Sequence, residues 1–190
     1  MKKFERTIPP DPPPSSKRHS LSSRPPPPPS SRPAPSSASS LLPPDTLLYV
    51  EDDDASWLAA YPRLKRSYNL LRAANDREAC AAIVEHKDTL VAILMDIELR
   101  GSALDGIQLT RLLRGRIGTS DLPPYAQAVK PLSVPVLFVT TPGVRASEAE
   151  LLAAGGNKVL AKPIDFLQLT SALTHLRLQR IMDLSSPWKE

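Results

Sequence analysis

The residues best placed to do chemistry in this 190-residue chain follow its short apolar runs. Glu51, Asp52, Asp53 and Asp54 come directly after "TLLYV", and Asp96 comes directly after "LVAILM". Thr140 and Thr141 stand at the end of "VPVLFV", and Lys162 and Pro163 follow "KVLA". Carboxylates brought together repel, raise one another's pKa and are usually kept ionised by a cation. Hard oxygen ligands suit Mg²⁺, which also bridges phosphate oxygens, and a lysine ammonium with a threonine hydroxyl would complete a phosphate site. The elements that carry these residues decide whether they meet.

Apolar runs alternate with stretches of helical period along the second part of the chain. Strands are expected over 46–50, 68–74, 90–95, 134–139 and 158–161, and helices over 56–66, 76–86, 106–116, 146–156 and 165–183. Pro62 should kink or shorten the first helix. Ser147 lies three residues before Glu150, the capping-box spacing, and Gly155 or Gly156 can close that helix in the left-handed conformation. Five such repeats with near-continuous apolar strands imply an α/β fold, a doubly wound five-stranded parallel sheet of the flavodoxin-like (βα)5 class. In that architecture ligands sit outside the carboxyl ends of the strands near the switch in strand order, the edge where Glu51, Asp52, Asp96, Thr140 and Lys162 fall. Residues 115–134 are the longest interruption and read as an inserted loop.

Composition separates an N-terminal extension from this unit. Residues 1–45 hold 14 of the 22 prolines and eleven serines, too little apolar surface to offset ordering, so a disordered tail with polyproline II character is expected, with 46–183 as the folded domain and 184–190 as a short C-terminal tail. The extension also carries the whole net charge of +4, because residues 46–190 have 17 basic and 17 acidic side chains. The basic pI therefore describes the tail and gives no reason to expect a nucleic-acid-binding face on the folded part. The tail could serve as a tether, and its arginines could bind an acidic surface. A single cysteine, Cys80, excludes a disulfide framework or a cysteine-based metal site within one chain and reads as a small core residue. With no apolar run of membrane-spanning length and no apolar signal core, the cytoplasm is the default location.

The ordered motifs resemble the receiver domain of two-component response regulators over roughly residues 46–182. "LLYVEDD" is similar to the family's first strand with its acidic pair, at Glu51 and Asp52, and "AILMDIEL" to its phosphorylation-site strand, which would make Asp96 the phosphoacceptor. "VLFVTT" and "VLAKP" would supply the hydroxyl residue Thr140 and the lysine Lys162, the latter before a proline whose bond is usually cis in receivers, and "LDGIQL" matches the glycine-started third helix. The separations, 44 positions from Asp52 to Asp96 and 22 from Thr140 to Lys162, are usual for receivers. Departures are a longer stretch from Asp96 to Thr140, Val159 where many receivers carry an aromatic, and Thr141 where a very small residue is common. The resemblance implies Mg²⁺ held by Asp52, Asp96 and the backbone carbonyl of Glu98, with Glu51 acting through a water. It further implies a histidine kinase or histidine phosphotransfer protein as donor and a protein as downstream target. Because the chain stops shortly after its last helix, with no length for a DNA-binding output domain, it reads as a stand-alone receiver, a signalling protein rather than an enzyme.

Other readings stay open at this point. An Mg²⁺-dependent phosphohydrolase of the haloacid-dehalogenase kind also uses an aspartate nucleophile on a parallel sheet, although there it follows the first strand. An unphosphorylated receiver-like binding module is a third. Asp53 and Asp54 read as caps of the first helix, and His86 and His175 as ordinary surface or boundary residues. The stripe Leu167, Leu169, Leu173, Leu176 and Ile181 reads as core, with a homodimer face as its alternative.

Overall fold

The computed structural model describes residues 45–118, 120, 122–141, 143 and 146–185, the side chains of 180, 181 and 183–185 excepted. Residues 1–44 of the extension expected to be disordered lie outside them, as do 186–190 of the expected 184–190 tail, whose first two residues instead end the last helix. Five strands, β1 (Thr46–Val50), β2 (Asn69–Ala73), β3 (Leu90–Met95), β4 (Val136–Thr140) and β5 (Lys158–Ala161), alternate with helices α1 (Asp54–Leu64), α2 (Asp76–His86), α3 (Gly106–Leu113), α4 (Glu148–Ala153) and α5 (Phe166–Ser185). All strands are parallel, in the order β2-β1-β3-β4-β5, so the chain leaves β1 towards one edge and β3 towards the other. The expected five-stranded doubly wound sheet is the observed one.

Apolar side chains alternate between two cores, one on each face. Leu47, Tyr49, Leu94, Leu137 and Val139 pack under α1 and α5, while Leu48, Val50, Ile93, Met95 and Phe138 pack under α2, α3 and α4. Because both faces of the central strands are covered, β1 and β3 read as unbroken apolar runs rather than alternating ones. Cys80 belongs to the second of these cores, and burial pushes its thiol up to about 11, so it behaves as a small apolar residue.

Several boundaries differ from the sequence expectation for identifiable reasons. The fourth strand begins at Val136 rather than 134, because Pro135 has no N–H to give; its carbonyl instead accepts from Ile93 N at 2.8 Å. The first helix starts two residues early, at Asp54, since Asp53 is its N-cap and accepts from Ser56 N at 2.7 Å, and it ends two residues after Pro62. Helix α4 has the reciprocal Ser147–Glu150 capping box and is followed by Gly155 at φ +110, as its sequence implied. On α5, Leu169 and Leu173 of the apolar stripe are buried, Leu167 is exposed and Leu176 half-buried, while the Ile181 side chain lies outside those described. Among the described residues, no helix is long and apolar enough to cross a membrane.

The described residues of the segment 115–134 include several that pack into the core rather than simply loop out. Leu122, Ala126, Val129 and Val134 are buried in the core under α2 to α4, and Tyr125 gives its hydroxyl to Asp76 at the start of α2. Its far end is fastened by Arg114, whose guanidinium donates to the carbonyls of Leu132 (2.7 Å), Val134 (3.0 Å) and Gly155 (3.0 Å). Arg114→Met keeps the aliphatic stem but strips these carbonyls of their donors, and is expected to lower the unfolding free energy by about 2 kcal/mol. A urea midpoint unchanged from wild type would contradict this role.

Candidate functional site

Glu51, Asp96 and Lys162 each stand one position beyond a strand, yet their backbones still belong to the sheet. Glu51 N donates to Ala73 O at 2.9 Å, Asp96 N to Val50 O at 3.0 Å and Lys162 N to Thr140 O at 2.8 Å. The ladder thus fixes where each side chain starts, at the carboxyl edge and beside the β1/β3 switch point where parallel sheets bind ligands. Gly106 opens α3 against the same strand end, its N–H on Ile97 O at 2.9 Å.

Lys162 joins two strands' carboxylates. Its Nζ lies 2.7 Å from Glu51 Oε2 and 2.6 Å from Asp96 Oδ2, and Asp96 Oδ1 accepts from Ile97 N at 2.7 Å. Glu51 has no exposed surface and receives two further bonds, from the Tyr49 hydroxyl at 2.7 Å and Asp53 N at 3.2 Å. Burial pushes the Glu51 carboxyl upward, against the bonds from Lys162 and Tyr49 that favour its ionised form. Burial alone would lower Lys162, but the bonds to Asp96 and Glu51 outweigh it and raise its pKa, so the ammonium stays charged. Burial and the Glu51 charge likewise push the Tyr49 phenol well up, which keeps it a donor.

Asp52 points to the same place with a different partner. One oxygen from each of Glu51, Asp52 and Asp96 lies within 4.8 Å of the others, a donor set of hard carboxylate oxygens that fits Mg²⁺. Arg100, in the loop between β3 and α3, places Nε 2.6 Å from Asp52 Oδ2. The Glu98 side chain in that loop is exposed. Thr140 ends β4 at the same edge, with its hydroxyl turned to the Thr141 carbonyl at 3.4 Å. The Lys162–Pro163 bond is cis, and Val159 is half-buried opposite Phe138 on β4. Beside the cluster a cleft of about 480 Å³, lined by Asp53, Ser56, Ala59, Thr141, Lys162 and Pro163 among others, gives access from solvent between α1 and the start of α5.

Sequence reasoning missed three contributors. Tyr49 shares a strand face with Glu51 at i, i+2, so period two carried a signal for it. Arg72 holds the Glu51 and Asp52 carbonyls from β2, at 3.2 and 3.3 Å, and Arg100 covers Asp52; neither has a local sequence signature.

No family model matches the sequence, and no curated protein matches it. Among solved structures the chain is similar to a protein from Chloroflexus aurantiacus described as a response regulator, with 28% identity over 70% of this chain and 98% of that one, at a TM-score of 0.54. It is also similar to the receiver domain of the sensor histidine kinase PA1611 from Pseudomonas aeruginosa, described with a magnesium ion coordinated in its active-site cleft (24% identity, 70% and 98% covered, TM-score 0.54). NtrX from Brucella abortus matches at 23% identity and a TM-score of 0.55 over 73% of this chain, but only 29% of its own length is covered. With its strand order, its carboxyl-edge cluster and these neighbours taken together, the folded part of the chain has the fold of response regulator receiver domains.

Proposed function

We propose that Asp96 accepts a phosphoryl group from a phosphohistidine on a histidine kinase or histidine phosphotransfer protein, and that the chain signals through protein contacts in a phosphorelay. The observation that carries this reading is the Lys162 ammonium bonded at once to Asp96 and Glu51, which sets a cation against the Asp96 carboxylate beside a cleft that Lys162 itself lines. In the transfer a carboxylate oxygen of Asp96 forms the new P–O bond while the P–N bond breaks, and its electron pair returns to the departing imidazole. Most of the acceleration in such a step comes from positioning and charge neutralisation. Asp52, Asp96 and the Glu98 carbonyl would hold Mg²⁺ directly and Glu51 through a water, as the magnesium described in the Pseudomonas receiver supports. The ion, when bound, supplies positive charge at the phosphoryl oxygens.

Lys162 would keep one hand on the phosphoryl group, and Thr140 would turn its hydroxyl from the Thr141 carbonyl to another phosphoryl oxygen. Since Thr140 ends β4, that turn would pull on the strand and on α4 after it, altering the surface formed by α4, β5 and α5. The chemistry of the site is then self-phosphorylation and self-dephosphorylation. The test is incubation with acetyl phosphate and Mg²⁺, followed by intact-mass measurement of wild type and Asp96→Asn. A phosphoryl adduct is expected on the wild type alone; an adduct of equal yield on Asp96→Asn overturns the assignment.

A further inference from the structure

Every carboxylate of the cluster has a cation, but the cations are of two kinds. Lys162 serves Glu51 and Asp96 from within the sheet edge, with its side chain only 17% exposed. Arg100 serves Asp52 from outside, 77% exposed, while the Asp52 carboxylate it meets is 11% exposed. Its reach extends as far as Asp53 Oδ1, 3.9 Å from a terminal guanidinium nitrogen.

The backbone on both sides of Arg100 is fastened. Gly106 N donates to Ile97 O, Ser102 N donates to Leu99 O, and Asp76 on α2 accepts from Ala103 N at 3.1 Å and Leu104 N at 2.9 Å. Asp76 N in turn donates to Ser102 Oγ at 3.1 Å. A loop held this way presents the arginine towards Asp52 while leaving its long side chain free to swing into water. An exposed guanidinium leaves a carboxylate at little cost because solvent takes over its hydration. A divalent ion at Asp52 would face that positive charge across a shared ligand, and the side chain that can move is Arg100.

We propose that Arg100 is a tethered cation that occupies the Asp52 carboxylate in the metal-free protein and is displaced when Mg²⁺ binds. This inference rests on the metal reading above and adds a competitor built into the chain. Arg100 thereby sets the Mg²⁺ concentration at which the site loads, and it limits electrostatic repulsion among the carboxylates until then.

The test is calorimetric titration of MgCl₂ into the full chain, comparing wild type with Arg100→Ala. The variant is expected to bind about three- to fivefold tighter, the upper range for an exposed ion pair. Because the effect is one of charge, the ratio should shrink towards one as ionic strength rises from about 0.05 to about 0.5 M. Equal or weaker binding by the variant at low salt overturns the role of Arg100 and leaves the metal site standing. A tighter variant whose advantage does not respond to salt also overturns it, since competition between charges must be screened. No heat of binding from either protein overturns both the metal site and the competitor.

Discussion

Lys162→Met is expected to lower the free energy of unfolding at pH 7 by about 3–5 kcal/mol, the usual cost of stranding one member of a buried ion pair. Glu51 is completely buried, and without the ammonium its remaining donors would be the Tyr49 hydroxyl and Asp53 N. The Glu51 carboxyl, already pushed up by burial against the opposing bond from Lys162, would rise further. A carboxylate whose pKa is raised in the folded state binds its proton more tightly there than in the unfolded chain. Stability therefore increases as pH falls through the folded value towards the unfolded one, near about 4.3 for glutamate. The variant should recover part of its loss between pH 7 and pH 5.

The contribution of Lys162 itself behaves oppositely in range. Its raised pKa makes its stabilisation fully present below the unfolded value of about 10.4 and lost only as pH climbs through the folded one, so it is constant across pH 5–7. Urea unfolding of wild type and variant at pH 7 and pH 5 measures the difference. Adding Glu51→Gln to the variant should restore much of the pH 7 loss, as a neutral amide replaces the stranded charge. A loss equal at both pH values, and unrelieved by the second substitution, would show that Lys162 acts by packing alone.

How much of this was readable in the sequence depends on the range of each interaction. The strands, the switch point and the order of Glu51, Asp52, Asp96, Thr140 and Lys162 follow from period and position, because a residue that ends a parallel strand or follows it within two positions stands at its carboxyl edge. Arg100 and Asp52 are 48 residues apart, and Tyr125 and Asp76 are 49 apart. Contacts of that separation leave no local pattern. The segment 115–134 is a different case, since its buried Leu122, Ala126 and Val129 recur at three- to four-residue spacing. That signal was present but interrupted by Pro123 and Pro124, which suppress a helix and make the stretch look like a plain loop. Its consequence for the site is indirect: Tyr125 completes the Asp76 hub that fastens the loop carrying Glu98 and Arg100.

Gly106→Ala is expected to cost about 3 kcal/mol, the upper range for overpacking, and to slow the phosphorylation proposed for Asp96. A Cβ at position 106 would fall well inside van der Waals contact of the Asp96 carbonyl oxygen and 2.9 Å from both the Asp96 carbonyl carbon and Met95 Cγ. Two of these three neighbours are backbone, so no flexible side chain can absorb the clash by changing rotamer. Either α3 backs away, breaking the bond from Gly106 N to Ile97 O, or the peptide between Asp96 and Ile97 rotates. The second route moves the N–H of Ile97 from which Asp96 Oδ1 accepts, and so turns the Asp96 carboxylate away from the position in which Lys162 meets it. Stability and acceptor geometry are therefore coupled at this one position. Gly118→Ala is the control, since among the described residues its Cβ would meet only Ser120 Oγ at 3.8 Å, an ordinary contact, and it should change stability by less than about 0.5 kcal/mol. Urea unfolding reads the first effect and the rate of adduct formation with acetyl phosphate reads the second. A Gly106→Ala protein as stable and as readily phosphorylated as the Gly118→Ala control would mean that α3 does not hold the Asp96 peptide in place.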